Sequence, residues 1–289
     1  MSLGYDALRH GAAWLDLSAR GRIVVRGRDR ARLLHNLTSN EVKKMTPGTG
    51  GYAFLLNPQG RIQADLNLFC FDDHFLIDTE PELGEKVRLH IKRYIIADQV
   101  ELEDVTAGTA AIGLEGSGAA AILTALGAPL PASDYRHESW GDATVAAVTA
   151  TGQPGVRIFC PAEKSLAITH QLEAAGAVAA ALDDVRLVRI ENGRPRYGED
   201  IRETSLPQET QQMHAVSYTK GCYLGQEIVE RIRAQGHVNK KLMRVTLEGA
   251  EAPPAGTKTI VDGAEAEVTS AVVSPTTGEV IALAYVRQR

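Results

Sequence analysis

Apolar residues recur at every second position between Ile62 and Cys70. Ile62, Ala64, Leu66, Leu68 and Cys70 alternate with Gln63, Asp65 and Asn67. A period of two is that of a strand with one apolar and one polar face. The run Tyr52-Ala53-Phe54-Leu55-Leu56 reads as a preceding strand, joined to it through Asn57-Pro58-Gln59-Gly60. Proline there is placed to open a turn and glycine to close it. Asp72-Asp73-His74 then turns the chain into Phe75-Leu76-Ile77, which completes a predicted β-meander with one polar face. Upstream, residues 21–27 predict a short strand, after which Asp29 is placed to cap a helix with Leu33, Leu34 and Leu37 on its apolar face. Pro81 opens a predicted helix reaching about Tyr94, with Val87, Leu89, Ile91 and Ile95 toward the core, and a strand near residues 100–104 follows.

A second α/β unit is predicted over residues 110–182, with helices near 119–126 and 163–175 and strands near 145–148 and 156–160. A helix over 183–192 leads into Gly193-Arg194-Pro195-Arg196-Tyr197-Gly198. From Leu242 the texture changes to short strands at 242–247, 258–261, 267–273 and 280–286, parted by Pro253-Pro254, Asp262-Gly263 and Pro275. Regularly spaced short strands predict a small antiparallel β-barrel. The expectation is an α+β protein: residues 1–240 as two interleaved α/β units with a boundary near 108, then a barrel over 241–289.

Composition narrows the classes. At 289 residues, with 44% hydrophobic and 23% charged positions, the chain has the make-up of a globular protein of two or three domains. A formal charge of −5 offers no excess of cations for a phosphate backbone, which argues against nucleic acid as a partner. Cys70, Cys160 and Cys222 are too few and too scattered for a disulfide framework, which points to a reducing, cytoplasmic compartment. No basic leader precedes an apolar stretch at the N-terminus, and the Ala-rich run 174–182 is too short to span a membrane, so neither secretion nor a membrane partner is expected.

The densest chemistry lies in Lys220-Gly221-Cys222-Tyr223-Leu224-Gly225-Gln226-Glu227-Ile228-Val229-Glu230-Arg231. Its second half predicts an amphipathic helix with Ile228, Val229 and Ile232 on one face and Glu227 paired with Arg231. Cys222 then sits in a glycine-flanked turn at or just before the helix start. There the helix dipole and the Lys220 ammonium favour a thiolate. A buried structural cysteine is an equally good reading of the same residues. Cys70 and Cys160 each follow a phenylalanine inside an apolar strand and read as core filler. No cysteine pair has the spacing of a metal knuckle, so no stably bound metal is expected. His214 and His237 flank the segment and are weaker pocket candidates.

The run Lys220 to Glu227 is similar to the K-G-C-Y-x-G-Q-E signature of the YgfZ family of folate-binding iron–sulfur cluster assembly or repair proteins, relatives of the glycine-cleavage T-protein. Residues 27–42, with Leu37-Thr38-Ser39-Asn40-Glu41-Val42, resemble the first helix and L-T-x-N-D-V run of the wider superfamily. Leu56-Asn57-Pro58-Gln59-Gly60-Arg61-Ile62 resembles its L-N-x-x-G-x-I hairpin. Arg189-Ile190-Glu191-Asn192-Gly193, with Tyr197-Gly198, resembles its R-x-E-x-G and Y-G segments. The resemblance implies a ring of three domains around a channel that holds tetrahydrofolate. It implies folate contacts from Asn57, Asp65, Arg189, Glu191, Arg196, Tyr197, Tyr223, Gln226 and Glu227, and a chemical role for Cys222 with Lys220. Arg231, Arg233, Lys240 and Lys241 are further candidates, for the glutamate tail. The partners implied are folate and iron–sulfur assembly proteins or client enzymes.

Two departures bear on the activity. The paired acid of the T-protein hairpin, I-x-D-D, reads Ile62-Gln63-Ala64-Asp65 here, and the glutamate of its G-Y-T-G-E-D-G segment corresponds to Gln153. T-proteins lack the cysteine found at 222. On that basis the expected function is an accessory role in iron–sulfur assembly or repair using tetrahydrofolate and Cys222. Aminomethyltransferase-like one-carbon transfer to tetrahydrofolate ranks second.

Overall fold

In a computed structural model describing residues 2–288, the predicted meander is the centre of a five-stranded antiparallel sheet. Its strand order is Thr49–Leu56, Ile62–Cys70, His74–Thr79, Gly21–Arg26 and Glu101–Asp104. Register places Asn67 opposite both Tyr52 and Asp78, and Asp78 opposite Arg22, so one polar row crosses four strands. The apolar face, carrying Ala64, Leu66, Leu68, Cys70 and Ile77, packs with the helices Arg30–Leu37 and Gly84–Arg93. Pro81 opens a 3-10 turn, Pro81–Leu83, rather than the α-helix itself, and Leu89 points outward.

The second sheet has six strands in the order Val178–Ala179, Ala13–Asp16, Thr109–Glu115, Gly155–Pro161, Ala143–Ala146 and His137–Trp140. Alternation again sorts its faces. Ile112, Leu114, Val156, Ile158 and Cys160 face the helices Ala119–Ala125 and Ser165–Ala174. Ala111, Ala146 and Phe159 face the first sheet and meet its Val24, Phe69 and Leu76. The core is therefore four layers, helices outside and two sheets inside. The N-terminal helix Leu3–His10 and strand Ala13–Asp16, which hydrophobic alternation did not reveal, add to the second sheet before the chain builds the first.

The C-terminal strands Lys240–Leu247, Val280–Arg287, Ala264–Val273 and Lys258–Val261 lie close to their predicted positions. They form an open four-stranded antiparallel sheet and not the expected barrel. Lys240–Leu247 and Lys258–Val261 are its two edges and do not pair with each other. The sheet is seated on the helix Leu182–Glu191 through Ile190, Val272 and Ile281. Among the described residues no helix is long and apolar enough to cross a membrane.

Candidate functional site

The inter-sheet layer is apolar at one end and polar at the other. Val24, Phe69, Leu76 and Phe159 fill the first end. At the other end Asp65, Asn67 and Asp78 project from the first sheet on the same strand face as Phe69 and Leu76. Arg157 enters from the second sheet. All four are at least nine-tenths buried. The face that alternation marks as polar is thus an interior wall, and a cavity of about 440 Å³ opens against it. That volume is in the range of small-molecule sites. Tyr52, Tyr135, Leu17 and Val148 supply flat and apolar surface, and His214 stacks on Tyr52 with ring centroids 5.2 Å apart.

Three carboxylates in this region occupy different electrostatic settings. Asp78 lies between Arg20, which donates through Nε at 3.0 and 3.1 Å, and Arg157, with Asn67 Nδ2 donating at 2.8 Å. Burial alone would raise its carboxyl; the two guanidiniums outweigh that and hold it below the ordinary range. Glu80 likewise is held down by Arg20 and by Arg196, whose Nε is 2.8 Å away. Asp65 has no such partner. The Tyr52 hydroxyl donates to its Oδ2 at 2.9 Å, and its buried Oδ1 has no hydrogen-bond partner. Burial, reinforced by the nearby Glu80 charge, pushes Asp65 up to about 6. A buried acceptor without a donor is costly unless something else supplies one. Neighbouring carboxylates with opposed shifts mark acid–base sites.

Tyr135 adds a second irregularity. It holds φ +62°, a left-handed conformation uncommon for a bulky residue. Its amide donates to Ala147 O at 2.9 Å and its hydroxyl to Asn67 Oδ1 at 3.3 Å, fixing the ring beside the cavity.

The sequence-predicted residues divide. Asp65, Arg189 and Arg196 line the cavity. Arg189 donates to Asp200 Oδ2 at 2.7 Å and pairs with Glu199, while Asp200 accepts from Thr269 and Ser270 at 2.6 Å, which ties this wall to the C-terminal sheet. Asn57 lies outside the cavity lining and shapes its own turn, its Oδ1 accepting from the amides of Gln59 and Arg61. Glu191 is buried against Tyr5 and Ser274, and Tyr197 sits in the core with its hydroxyl donating to Gln63 O at 2.8 Å. Neither lines the cavity. Ala64 belongs to the opposite strand face, buried among apolar residues. Consecutive strand residues face opposite ways, so the change at 64 leaves the cavity wall untouched. It does not count against transfer chemistry, as the sequence reading had taken it to. Gln153 lines a second hollow of about 370 Å³, which shares Tyr135, Val148, Thr149, Arg194 and His214 with the first.

The Lys220–Glu227 run is mostly architecture. The buried Lys220 ammonium donates to the carbonyls of His35, Thr38 and Asn40 at the C-terminal end of the helix Arg30–Leu37, with Asn40 O at 2.9 Å. Burial pushes it down to about 7, while carbonyls at a helix C-terminus favour the charged form. It also lies 4.7 Å from the centre of the buried Tyr223 ring. Gln226 Oε1 accepts from the Tyr223 amide, and Glu227 is exposed at the start of the helix Gln226–Gln235. Gly225, at φ +83°, caps that helix and lies so close to the hairpin that a Cβ would fall 2.6 Å from Asn57 O. The ion pair on this helix is Glu230 with Arg233 at 3.5 Å, in place of the expected Glu227–Arg231 pair. Cys222 is exposed, three residues before Gly225, and is not among the cavity lining; Cys70 and Cys160 are buried. Among the described residues no group of three or more His, Cys, Asp or Glu side chains is arranged to hold a metal ion.

Against known proteins, the family described as the GCVT N-terminal domain matches residues 4–220. An aminomethyltransferase of Rubrobacter xylanophilus is 31% identical over 98% of this chain and 78% of its own. The chain belongs to the GCVT family. A second GCVT relative, the aminomethyltransferase of Thermus thermophilus, is 30% identical over 98% of this chain and 81% of its own. The glycine cleavage system aminomethyltransferase T of Bartonella henselae superposes with a TM-score of 0.88 over 98% of this chain and 80% of that one; at 20% identity this establishes the shared fold. The GCVT match ends at Lys220, so Cys222 lies beyond it.

Residues that the sequence reading passed over dominate the site: Arg20, Tyr52, Asn67, Asp78, Tyr135, Arg157 and Arg194. The available signal was the polar parity of Gln63, Asp65 and Asn67 against the apolar parity of Ala64, Leu66 and Leu68.

Proposed function

We propose that this chain binds tetrahydrofolate in the inter-sheet cavity and takes part in one-carbon transfer to it, of the kind carried out by aminomethyltransferases. The observation that carries the reading is Asp65, buried in the cavity wall with one oxygen unpartnered and its carboxyl raised to about 6. The residues fit such a ligand. Tyr52, Tyr135 and His214 offer ring faces, Asp65 offers an acceptor for an amine or a pterin N–H, and the arginines offer donors. Tetrahydrofolate, when bound, supplies the amine nitrogens that carry a one-carbon unit. Tyr52 fixes Oδ2 of Asp65 and leaves Oδ1 as the group open to proton exchange. Above about pH 6 the carboxylate takes a proton; below it Asp65 holds one. Arg20, Arg157 and Arg196 are matched by Asp78, Glu80 and Glu82 in one ion-pair network, which leaves Asp65 as the carboxyl without an ion pair in this wall. Calorimetric titration with tetrahydrofolate, followed by assay of methylene-tetrahydrofolate formation from an aminomethyl donor, tests the reading. Asp65→Asn should lower turnover by about 100-fold or more. A native protein that binds no tetrahydrofolate would sink it.

A second reading, the YgfZ-type accessory role in iron–sulfur cluster assembly or repair with a three-domain ring around the folate, rests on one observation. Of three cysteines only Cys222 is exposed, in a run whose Lys220, Tyr223 and Gly225 are fixed by packing. It ranks below transfer because the named relatives are aminomethyltransferases. Cluster-enzyme activities in a deletion strain supplied with Cys222→Ala would decide it; full restoration removes the cysteine from the function.

A further inference from the structure

Asn40 lies outside the cavity lining, yet it ties together two residues that form the cavity wall. Residues 38–40 run along the outer side of the edge strand Thr49–Leu56. Thr38 bridges to Leu55, the Ser39 amide donates to Phe54 O at 2.9 Å, and the Phe54 amide donates back to the Ser39 hydroxyl at 2.9 Å. The same segment also holds the chain that carries His214. The Ser39 hydroxyl donates to Ala215 O, and the Ser217 amide donates to Ser39 O at 2.9 Å.

Asn40 closes this stitch. Its Nδ2 donates to Tyr52 O and to His214 O, each at 2.8 Å. Those are the two residues whose rings stack in the wall, with centroids 5.2 Å apart and planes 21° apart. Oδ1 of Asn40 accepts the Glu41 amide at 2.9 Å, which leaves both Nδ2 hydrogens for the two carbonyls. From behind, the Lys220 ammonium donates to Asn40 O at 2.9 Å. Tyr52 has other support, since it pairs with Asn67 in the sheet and its hydroxyl holds Asp65. His214 does not. It belongs to the short 3-10 turn Met213–Ala215, and its ring is exposed. Among the described residues no hydrogen bond or ion pair holds that ring, so the stack depends on where its backbone lies.

We infer that Asn40 is a positioning residue for ligand binding, its side-chain amide setting the Tyr52–His214 stack that forms the flat wall of the cavity. This deepens the folate reading and rests on it for the ligand. Asn40 itself touches no ligand; it acts through His214. Aromatic stacking of this kind is worth about 3- to 10-fold in affinity for a flat ligand. Tyr52 stays in the sheet without Asn40, so the proton exchange assigned to Asp65 is unaffected.

Proton NMR and calorimetry with tetrahydrofolate test this on the native protein, Asn40→Ala, Asn40→Ser, Asn40→Asp and Ile91→Ala. In the native protein the imidazole C–H signals of His214, assigned by their loss in His214→Gln, lie upfield because of the Tyr52 ring. Asn40→Ala should return them toward those of a free imidazole and weaken tetrahydrofolate binding about 3- to 10-fold, with the pH midpoint of turnover unchanged. Asn40→Ser keeps one donor and should lie between; it carries the same test if Asn40→Ala does not fold. Asn40→Asp keeps the shape but offers acceptors where donors are needed, and should do no better than alanine. Ile91→Ala, buried on the opposite face of the first sheet, should lower stability and leave both readouts native. Equal changes in Ile91→Ala would reduce the role of Asn40 to general stability and overturn the inference. If the native protein binds tetrahydrofolate and a folded Asn40→Ala keeps either the native His214 signals or an affinity within twofold, the inference falls while the folate reading stands. If the native protein binds no tetrahydrofolate, both fall.

Discussion

Replacing Asp65 by asparagine removes a charge while keeping the side-chain shape and the acceptor for the Tyr52 hydroxyl. An ordinary aspartate titrates near 3.8, and here the carboxyl is raised to about 6. The folded state therefore holds this proton more tightly than the unfolded chain does. Below pH 3.8 the group is neutral in both states and costs nothing. As pH rises through the window from 3.8 to about 6 the unfolded state ionises first, and the stability that the retained proton contributed is lost. Above pH 6 the penalty is constant at about 3 kcal/mol. Asparagine carries no such penalty, so Asp65→Asn should be more stable than the native protein by up to about 3 kcal/mol at pH 8, or about 5 °C in Tm. At pH 4 the two should nearly coincide. Paired thermal melts at the two pH values give the answer as a difference, so the general loss of stability in acid cancels. Equal shifts at both pH values, or a less stable variant at pH 8, would refute the claim that Asp65 is a buried carboxyl held against its solvation. A variant that gains stability and loses turnover would locate the site by the trade between them.

Other expectations follow from the geometry. Lys220→Met leaves the carbonyls of His35, Thr38 and Asn40 without their donor and should cost about 3 kcal/mol in urea denaturation. Gly225→Ala, with positive φ and a Cβ 2.6 Å from Asn57 O, should cost at least about 2 kcal/mol, whereas Gly221→Ala, with open space around it, should be nearly neutral. A thiol reagent should label one cysteine, Cys222, rapidly in the native protein and three after unfolding; fast labelling of Cys70 or Cys160 would contradict their burial. Ala64→Asp, which recreates the paired acid of the hairpin, should not strengthen folate binding and should destabilise the fold by about 3 kcal/mol or more, because position 64 faces the apolar core.

Much of the fold was legible because the local signals were strong. Alternation from Ile62 to Cys70 located a nine-residue strand, and the C-terminal strands fell near their predicted bounds. The short strand Ala13–Asp16 escaped because its partners, Thr109–Glu115 and Val178–Ala179, are remote in sequence. The barrel failed for a related reason: strand spacing reports how many strands there are, not whether the outer two meet. In the site, Asp65 was legible through a turn and strand motif. Its partners were not, since Arg20, Asp78 and Arg157 acquire meaning only when two sheets stack. A polar strand face reads the same whether it meets water or a second polar wall. Lys220 and Tyr223 make packing contacts that the motif alone does not reveal, since a dense run reads the same whether its residues serve architecture or chemistry.

The buried Asp78 touches guanidiniums from both sheets, and this constrains how the protein can change over generations. Losing Asp78 alone strands the buried Arg157 guanidinium, whose ion-pair partner it is, at a cost of about 3–5 kcal/mol. Losing Arg20, Asp78 and Arg157 together, with apolar replacements of similar volume, need cost little. The three positions should therefore vary as a block among related chains, with intermediates scarce. A lineage that keeps the block retains the polar end of the inter-sheet layer, and one that discards it closes that end with hydrocarbon. Whether a relative still has a cavity to use should be readable from these three positions before its activity is measured.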